Sequence, residues 1–556
     1  MRASRSTAPA WGLAAASACC ALAALPPLDL WALSFVSVFL LVLAARRAGS
    51  RRTAILSTFT SYFLAWLWIN HWIIDVTLAG WPVLSAYVAL YPAMAAWLLR
   101  EIGRDRNLGR WPSAVTVPLV FIGLECVRGL IIFDGYPWYF IGQPLIESPI
   151  LAQPADIIGV WWGSLFVGAV AGLCVDVVRP VHRRSTGSSI VVGVLLVLAV
   201  PYGAWRLAQD DVFSSGPSIL AIQTNLPQDN KIGWSVQAQF EDVPSFIELT
   251  LEAVEATGGA DLVAWPETMV PGLGFDRGTR ASLEAAGPGF AHLHHWPGRI
   301  EQLSSVLGRP LLVGSPTWLD LSQSVDERGT WMEGRTRYNS AVLVEPGGGL
   351  QRYDKVVLTP FGERMPYLEH WPWLEKQLLV IGAGGMEFNL EASDRIPVLS
   401  MEYPGGTCGI GTPICFEDTV PGLCRDLVYF EGEKRAMLLM NLSNDGWFGG
   451  DDAARRTHVQ VARWRCIENR VPMIRVVNTG ETSWTDSLGR VRAATQPRVP
   501  SWLLCEPQVD SRRTMFGTIF GNLVAWLCFT TLCGLVAWRC TLGRSSRDEG
   551  VSDAGV

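Results

Sequence analysis

The chain is short of charge. Asp, Glu, Lys and Arg make up 17% of its 556 residues against 49% hydrophobic, a balance poorer in charge than an ordinary soluble domain carries. It also lacks a basic surplus: the formal net charge is -6, which gives no reason to expect a nucleic-acid partner. The 12 cysteines include no Cys-x-x-Cys pair, and at least half (Cys19, Cys20, Cys126, Cys174, Cys528 and Cys533) lie in apolar stretches. That argues against a zinc site or a disulfide framework. His292, His294 and His295 crowd together, yet no Cys or acidic ligand stands at metal spacing from them, so a solvated loop is the expected reading. No metal and no cofactor is expected.

What is present is unevenly placed. The N-terminal two-fifths is mostly apolar, whereas the section from Ser218 to Asp510 has the mixed polarity of a water-soluble domain. Seven apolar segments precede that section, at 10–26, 29–45, 53–75, 79–99, 112–132, 155–178 and 188–208, and an eighth covers 515–538. A bilayer core takes about 20 apolar residues per helix, so eight spans are expected. The first segment also reads as a secretory signal peptide after Arg2 and Arg5, but six more spans follow without a cleavage site. Arg46, Arg47, Arg51 and Arg52 follow the second segment, Arg100, Arg104, Arg106 and Arg110 the fourth, Arg179, Arg183 and Arg184 the sixth, and Arg539, Arg544 and Arg547 the eighth. The loops after the first, third and fifth carry no Lys or Arg. By the positive-inside rule both termini are cytoplasmic and the polar domain lies on the outer face. The expected division is a seven-span membrane domain at 1–210, an outer domain at 215–510 and a last span with its tail at 511–556. Within the fifth span, Glu125 and Arg128 stand one turn apart and are expected to pair with each other. The aromatic loop Asp134 to Phe140 is expected to anchor at the headgroup level.

From Ser218 onward, short β-branched runs alternate with helix-like segments. Strands are expected at Ile219–Gln223, Leu262–Trp265, Leu311–Gly314, Ser340–Val344, Gly409–Ile414, Met437–Asn441, Met473–Val477 and Leu503–Glu506. Helices are expected at Gln239–Ala256, Arg299–Leu307, Val420–Phe430 and Arg456–Glu468. This alternation predicts a layered α/β domain with a largely buried sheet. Catalytic groups in such domains gather at the carboxyl ends of strands, and three groups of complementary chemistry fall there. Glu267 follows Leu262-Val263-Ala264-Trp265-Pro266. Lys355 stands in Tyr353-Asp354-Lys355 before a Pro/Gly-rich loop. Cys415 ends the run Gly409 to Ile414, at a strand-to-helix turn whose N–H groups favour a thiolate and an oxyanion.

Trp265-Pro266-Glu267, Tyr353-Asp354-Lys355 through Pro360-Phe361-Gly362-Glu363, and Ile414-Cys415-Phe416-Glu417 resemble the Glu-Lys-Cys triad of the nitrilase superfamily. Seven spans before the domain and one after make the chain similar to the apolipoprotein N-acyltransferase family. Gly135-Tyr136-Pro137-Trp138, Gln223-Thr224-Asn225 to Trp234, and Ser443-Asn444-Asp445-Gly446-Trp447-Phe448-Gly449 extend the likeness over nearly the whole chain. The resemblance implies a multi-pass α-helical membrane bundle of about eight spans plus a nitrilase-like αββα sandwich in the bacterial inner membrane. It implies acyl transfer from the sn-1 ester of a membrane phospholipid, phosphatidylethanolamine foremost, to Cys415 as a thioester. The acyl group then passes to the α-amino group of the S-diacylglyceryl cysteine of an apolipoprotein. In that scheme Glu267 is the base, Lys355 and the Phe416 N–H hold the oxyanion, and Glu363 and Glu417 support them. Trp234, Asn444, Trp447 and Phe448 meet substrate. Phe416 stands where the family commonly has Tyr, and Phe275–Arg299 and Trp318–Arg337 look like longer or divergent loops. His458, Arg463 and Arg465 could meet a lipid phosphate or form structural ion pairs. Two other readings use the same residues: a membrane-anchored amidase with water as acceptor, and a multi-span receptor or transporter whose outer domain has no activity.

Overall fold

A computed structural model describes residues 8–178, 182–227, 234–326, 329–367, 373 and 390–552. The chain forms two compact units, one of Met1–Ile69, Leu84–Gly203 and Asn522–Val556, the other of Asn70–Val83 and Ala204–Gly521.

The first unit is helical: α1 (Ala8–Ala24), α2 (Leu33–Arg47), α3 (Arg51–Ile69), α4 (Gly80–Arg104), α5 (Ser113–Cys126), α6 (Trp161–Val178), α7 (His182–Leu207) and a C-terminal helix, Leu523–Ser552. Nearly every residue of α5 is buried, as a helix apolar on all sides requires. It packs tightly on α6 because Gly172 leaves room: a Cβ there would lie 2.3 Å from the Ser113 carbonyl oxygen. Small residues allow this approach between apolar helices. Asp176, buried in α6, accepts hydrogen bonds from the Ser113 N–H (2.7 Å), the Ser113 hydroxyl (2.6 Å) and the Ser188 hydroxyl (2.7 Å).

Among the described residues, four helical stretches are long and apolar enough to cross a membrane: Gly80–Arg104, Ser113–Asp134, Trp161–Val178 and Ser185–Leu207. Ala8–Ala24 and Leu523–Trp538 are apolar but shorter. The eight expected segments are thus cut back, for local reasons. The third stops at Ile69, and His71–Asp75 forms a 3-10 turn of the second unit. The sixth is broken at Gly159 (φ 74), and the eighth begins as a π turn, Phe516–Phe520, closed by Gly521 (φ 48).

Two expectations about the fifth segment and the loop after it fail here. Glu125 and Arg128 do not pair: α5 runs into a π turn at Val127–Ile131, and each side chain binds backbone of the following loop. Glu125 Oε1 accepts from the Ile141 N–H (2.6 Å), and Arg128 Nη2 donates to the Tyr139 carbonyl (2.9 Å). That loop is not a surface anchor, since Trp138, Tyr139 and Phe140 are buried, with ring centroids 4.8 Å apart for Trp66 and Tyr139 and 5.1 Å for Phe140 and Trp161.

The second unit holds strands β1 (Ile219–Gln223), β2 (Leu262–Ala264), β3 (Leu311–Asp326), β4 (Gly329–Val344), β5 (Leu350–Asp354), β6 (Leu399–Tyr403), β7 (Gly406–Gly411), β8 (Leu438–Ser443), β9 (Met473–Val477), β10 (Ser483–Thr485), β11 (Val491–Ala494) and β12 (Ser501–Cys505). They build two six-stranded sheets, ordered β12-β1-β2-β3-β4-β5 and β11-β10-β9-β8-β7-β6. The centre of each is parallel (β1, β2, β3 and β7, β8, β9) and the flanks are antiparallel. Side chains of β1 alternate as a pleat demands. Ile219 and Ala221 share a cluster with Met401, Ile410, Met440 and Ile474 of the other sheet, while Leu220 and Ile222 pack with Val243 and Phe246 of α8 (Val236–Thr257) and with Ile300, which follows α9 (Arg277–Ala286) in α10 (His295–Leu307). Leu427 of α11 (Pro421–Val428) and Ala462 of α12 (Asp452–Asn469) join the first cluster. The result is a layered αββα sandwich whose sheets are buried on both faces.

Neither region read as a divergent loop is one. Trp318–Arg337 is an extension of the β3–β4 hairpin, paired from Leu311↔Val344 out to Asp326↔Gly329, with the Arg337 guanidinium 3.9 Å from the Trp318 ring centre. Phe275–Arg299 contains α9, a 3-10 turn at Pro288–His294 and the start of α10. The two regions cover each other through Leu283, Phe290 and Leu293 on one side and Leu321 and Met332 on the other, with Leu273 packed among them.

Candidate active site

Three strand ends converge. β2 stops at Ala264, and Pro266, which has no N–H to continue a ladder, carries the chain to Glu267, 5% exposed. The Pro266 carbonyl accepts from the Gly314 N–H (3.2 Å). Only glycine fits at 314: a Cβ would lie 2.4 Å from the Thr268 nitrogen and 2.5 Å from the Glu267 Cα. Lys355 follows β5 and is fully buried, its N–H donating to the Asn339 carbonyl (2.9 Å). Cys415 opens a 3-10 turn, Cys415–Thr419, in the left-handed region (φ 51), and is partly accessible. Such a conformation in a non-glycine residue is strained and held by its surroundings. Here Asn441 Nδ2 donates to the carbonyls of Cys415 (2.9 Å) and Pro413 (3.1 Å).

The side chains form one polar network. Glu267 Oε1 accepts from Asn339 Nδ2 (2.7 Å), while Oε2, buried, has no hydrogen-bond partner among the described residues. Lys355 Nζ lies 2.6 Å from Glu363 Oε2, which also accepts from the Thr359 N–H (2.8 Å). Burial alone would lower the pKa of the Lys355 ammonium, but Glu363, the Cys415 sulfur, Glu267 and Glu417 hold it above its ordinary value. Burial likewise works to raise the Glu363 carboxyl, and Lys355 overcomes it, leaving Glu363 below its usual range. Glu417 uses both oxygens. Oε1 accepts from the N–H groups of Val356 (2.7 Å) and Val357 (2.8 Å), and Oε2 from the Ile414 N–H (2.7 Å) and the Tyr353 hydroxyl (3.0 Å). It thereby staples the backbone beside Lys355 to the backbone beside Cys415. Burial pushes its carboxyl up to about 7 against the pull of Lys355 and the three N–H groups.

The expectation of a turn that favours thiolate is corrected. Burial, then Glu267, push the Cys415 thiol above its ordinary pKa; Lys355 pulls the other way without prevailing, and Glu363 and Asp445 add to the rise. The surroundings of the sulfur thus favour the thiol form, beside Glu267.

Phe416 is buried, its carbonyl accepting from the Thr419 hydroxyl (2.7 Å). Asn444 is buried and accepts from Asn478 Nδ2 (2.9 Å). Phe448 ends the 3-10 turn Asp445–Phe448, with its ring 4.8 Å from that of Trp72 in near-perpendicular contact, and Trp447 is half-buried beside it. Trp234 is not brought to the triad by any contact among the described residues: it packs on the α8 side of the first sheet and donates Nε1–H to Asp242 (2.8 Å). A lipid-phosphate role for His458 and Arg465 does not fit their burial (2% and 1% exposed); Arg465 pairs with Glu468 at 2.9 Å. Arg463 Nε donates to the Gly489 carbonyl (2.9 Å).

The sequence analysis does not single out Asn339 and Asn441, which hold the Glu267 side chain and the Cys415 backbone. Asn is depleted in strands, so an Asn just before the apolar run Ser340–Val344 and another ending Met437–Asn441 are the available signal.

Comparison with known proteins bears on what this network serves. Residues 17–173 match the family described as apolipoprotein N-acyltransferase N-terminal domain, and residues 228–505 match carbon-nitrogen hydrolase. A Geobacter metallireducens protein named apolipoprotein N-acyltransferase is 30% identical over 514 residues, covering 89% of this chain and 88% of that one. A Vibrio cholerae protein of the same name is 26% identical over 534 residues, covering 93% and 94%. Among solved structures, an amidase from Nesterenkonia sp. is 15% identical, covers 53% of this chain and 92% of its own, and has a TM-score of 0.34.

Proposed function

This chain belongs to the apolipoprotein N-acyltransferase family, and from that premise we propose how its own residues carry an acyl group to the N-terminus of a lipoprotein. Glu267 Oε2 takes the proton from Cys415 Sγ, and the sulfur attacks the carbonyl carbon of the sn-1 ester of a membrane phospholipid, phosphatidylethanolamine foremost. The carbonyl oxygen becomes an oxyanion beside the Lys355 ammonium, with the Phe416 N–H as second donor; one such donor contributes on the order of 3 kcal/mol of transition-state stabilisation. The C–O bond to glycerol breaks, Glu267 returns the proton to that oxygen, and lysophospholipid leaves a thioester on Cys415. The neutral α-amino group of the S-diacylglyceryl cysteine then attacks the thioester carbonyl. Glu267 takes its proton and delivers it to the departing sulfur, so an amide forms and the thiol is restored. Dividing the transfer at a covalent intermediate is what a cysteine nucleophile contributes. Glu363 and Glu417 hold Lys355 and the nucleophile's turn, and Asn444, Trp447 and Phe448 meet substrate.

One observation carries this assignment. A buried carboxylate has one oxygen fixed by Asn339 and the other unbonded among the described residues, in electrostatic range of a protonated thiol and a buried ammonium. The apolar segments and the arginines between them support eight spans, with 1–210 and 511–556 in the inner membrane, both termini cytoplasmic, and 215–510 on the outer face.

The test is the intact mass of the detergent-purified chain after incubation with phosphatidylethanolamine. Wild type should gain one hydroxylamine-sensitive fatty-acyl mass and lose it to a diacylglyceryl peptide, while folded Cys415→Ala should gain none. An adduct in Cys415→Ala, or none in wild type, overturns the mechanism.

A further inference from the structure

Behind Cys415 lies a second buried cluster of charge that the mechanism above does not use. Asp418 stands three residues past the nucleophile in the same 3-10 turn, and Asp445 opens the turn that carries Trp447 and Phe448. His458 of α12 sits between them, with Nε2 2.9 Å from Asp418 Oδ1 and Nδ1 3.2 Å from Asp445 Oδ1. Arg475 of β9 places Nε 3.2 Å from Asp418 Oδ2, and Nη2 3.7 Å from Asp445 Oδ1 and 3.0 Å from His458 Nδ1. All four are at most 2% exposed.

His458 Nδ1 is therefore offered an acceptor by Asp445 and a donor by Arg475, and can serve only one of them. As imidazolium it donates to both carboxylates, and the cluster holds two anions and two cations. As neutral imidazole it keeps Asp418 and accepts from Arg475, leaving two carboxylates to share one guanidinium. An unbalanced buried charge is costly, and this one lies in electrostatic range of the Cys415 sulfur, on which Asp445 acts to disfavour the thiolate. We propose, on the acyl-transfer reading above, that His458 is a positioning residue for the nucleophile: its second proton neutralises Asp445, ties the Cys415 turn to the Asp445–Phe448 turn, and so permits Glu267 to draw the thiol proton.

Supporting this, burial and Arg475 push the His458 imidazole down, yet Asp418 and Asp445 more than offset them and hold it above 6.5. The same cations hold the Asp445 carboxyl at about 2 despite its burial. Other groups in electrostatic range of the cluster are Arg455, which itself pairs with Asp452 at 3.0 Å, Glu481, and the Cys415, Cys424 and Cys466 thiols. Asp418 Oδ2 and Asp445 Oδ2 are both buried without a hydrogen-bond partner among the described residues, Asp418 Oδ2 meeting Arg475 Nε as an ion pair only.

The test follows thioester formation on the full-length chain with phosphatidylethanolamine from about pH 6 to about pH 9, the window in which a histidine titrates. Wild type should acylate more slowly as pH rises through the raised His458 value. His458→Gln, which can donate to one partner and accept from the other as neutral imidazole does, should run about tenfold slower than wild type at the acid end and converge with it at the alkaline end. Asp445→Asn removes the charge that needs neutralising, so its rate should lose the wild-type fall toward alkaline pH and lie above that of His458→Gln there. A wild-type to His458→Gln ratio independent of pH, or an alkaline limb unchanged in Asp445→Asn, overturns the proposal; should His458→Gln not fold, Asp445→Asn alone decides it. Wild type that forms no thioester at any pH overturns the acyl-transfer reading instead.

Discussion

Replacing Glu417 with Gln asks whether the site is held by a charge or by shape alone. Gln keeps the volume but offers one oxygen and one NH2 where the carboxylate accepts four hydrogen bonds. With its oxygen toward Val356 and Val357, its NH2 faces the Ile414 N–H and the Tyr353 hydroxyl. The hydroxyl can rotate to accept; the Ile414 N–H cannot. Losing one buried hydrogen bond to a charged group costs about 2–3 kcal/mol. The opposing term comes from titration. Burial lifts this carboxyl from 4.5 to about 7, and an acid with a raised folded-state value is destabilising when ionised. Wild type therefore loses stability as pH climbs from 4.5 to about 7, by about 3 kcal/mol in all, and Gln never incurs that loss. Above pH 7 the two terms nearly cancel, so Glu417→Gln should melt within a few degrees of wild type and show no dependence on pH from this group. Activity should not survive in the same way: the freed N–H lies one residue from Cys415, and misplacing a reacting group by about 1 Å costs about 100-fold. Thioester formation by intact mass, set beside thermal midpoints above and below pH 7, reads both effects. A Gln variant that acylates within about threefold of wild type refutes the staple, and one that loses rate only in proportion to folded protein refutes the partition argued here.

Two further substitutions probe the neighbours of that staple. Lys355→Met leaves the partly buried Glu363 without its cation at 2.6 Å, and should lower stability by about 2–3 kcal/mol; adding Glu363→Gln should restore most of the thermal midpoint while thioester formation stays absent. Gly314→Ala places a methyl group 2.5 Å from the Glu267 Cα, a backbone clash costing about 1–3 kcal/mol; acylation should fall by at least tenfold with far-UV circular dichroism unchanged, and a normal rate would show that Glu267 needs no such fixed perch.

Where local chemistry sets an outcome, the chain is readable. Pro266 ends a buried strand and presents Glu267; Gly409 to Gly411 lead to a thiol at a tight turn; and β1 and β9 have the bounds their apolar runs suggest. The misread places are those where distant residues decide. Trp318–Arg337 alternates polar and apolar side chains with no continuous apolar run, and only its partner strand, paired out to Gly329, identifies it as hairpin rather than loop. The loop from Asp134 to Phe140 carries the aromatic composition of a headgroup anchor, yet Trp66 and Trp161 from two separate helices enclose it. Asp418, Asp445, His458 and Arg475 are residue types that usually face water and are scattered over nearly sixty positions. No spacing rule joins them; the packing of β9 and α12 behind the nucleophile does.

The state of the sulfur at rest ties these observations together. A helix start would lower a thiol's pKa, and the sequence around Cys415 points that way. Burial, joined by the surrounding carboxylates, wins instead and raises it. A protonated thiol is a poor nucleophile toward oxidants and stray electrophiles alike, which on the proposed mechanism suits a group that waits for a large lipid. On the proposed mechanism what converts it is local: Glu267 Oε2, without a hydrogen-bond partner among the described residues, is the acceptor, and the developing oxyanion meets the Lys355 ammonium, which is paired with Glu363. Proton removal therefore becomes favourable only when a carbonyl is in place to pass negative charge from sulfur to oxygen, beside Lys355. On this reasoning the raised thiol is not a handicap of the site but the reason that nucleophile formation and ester attack occur as one step.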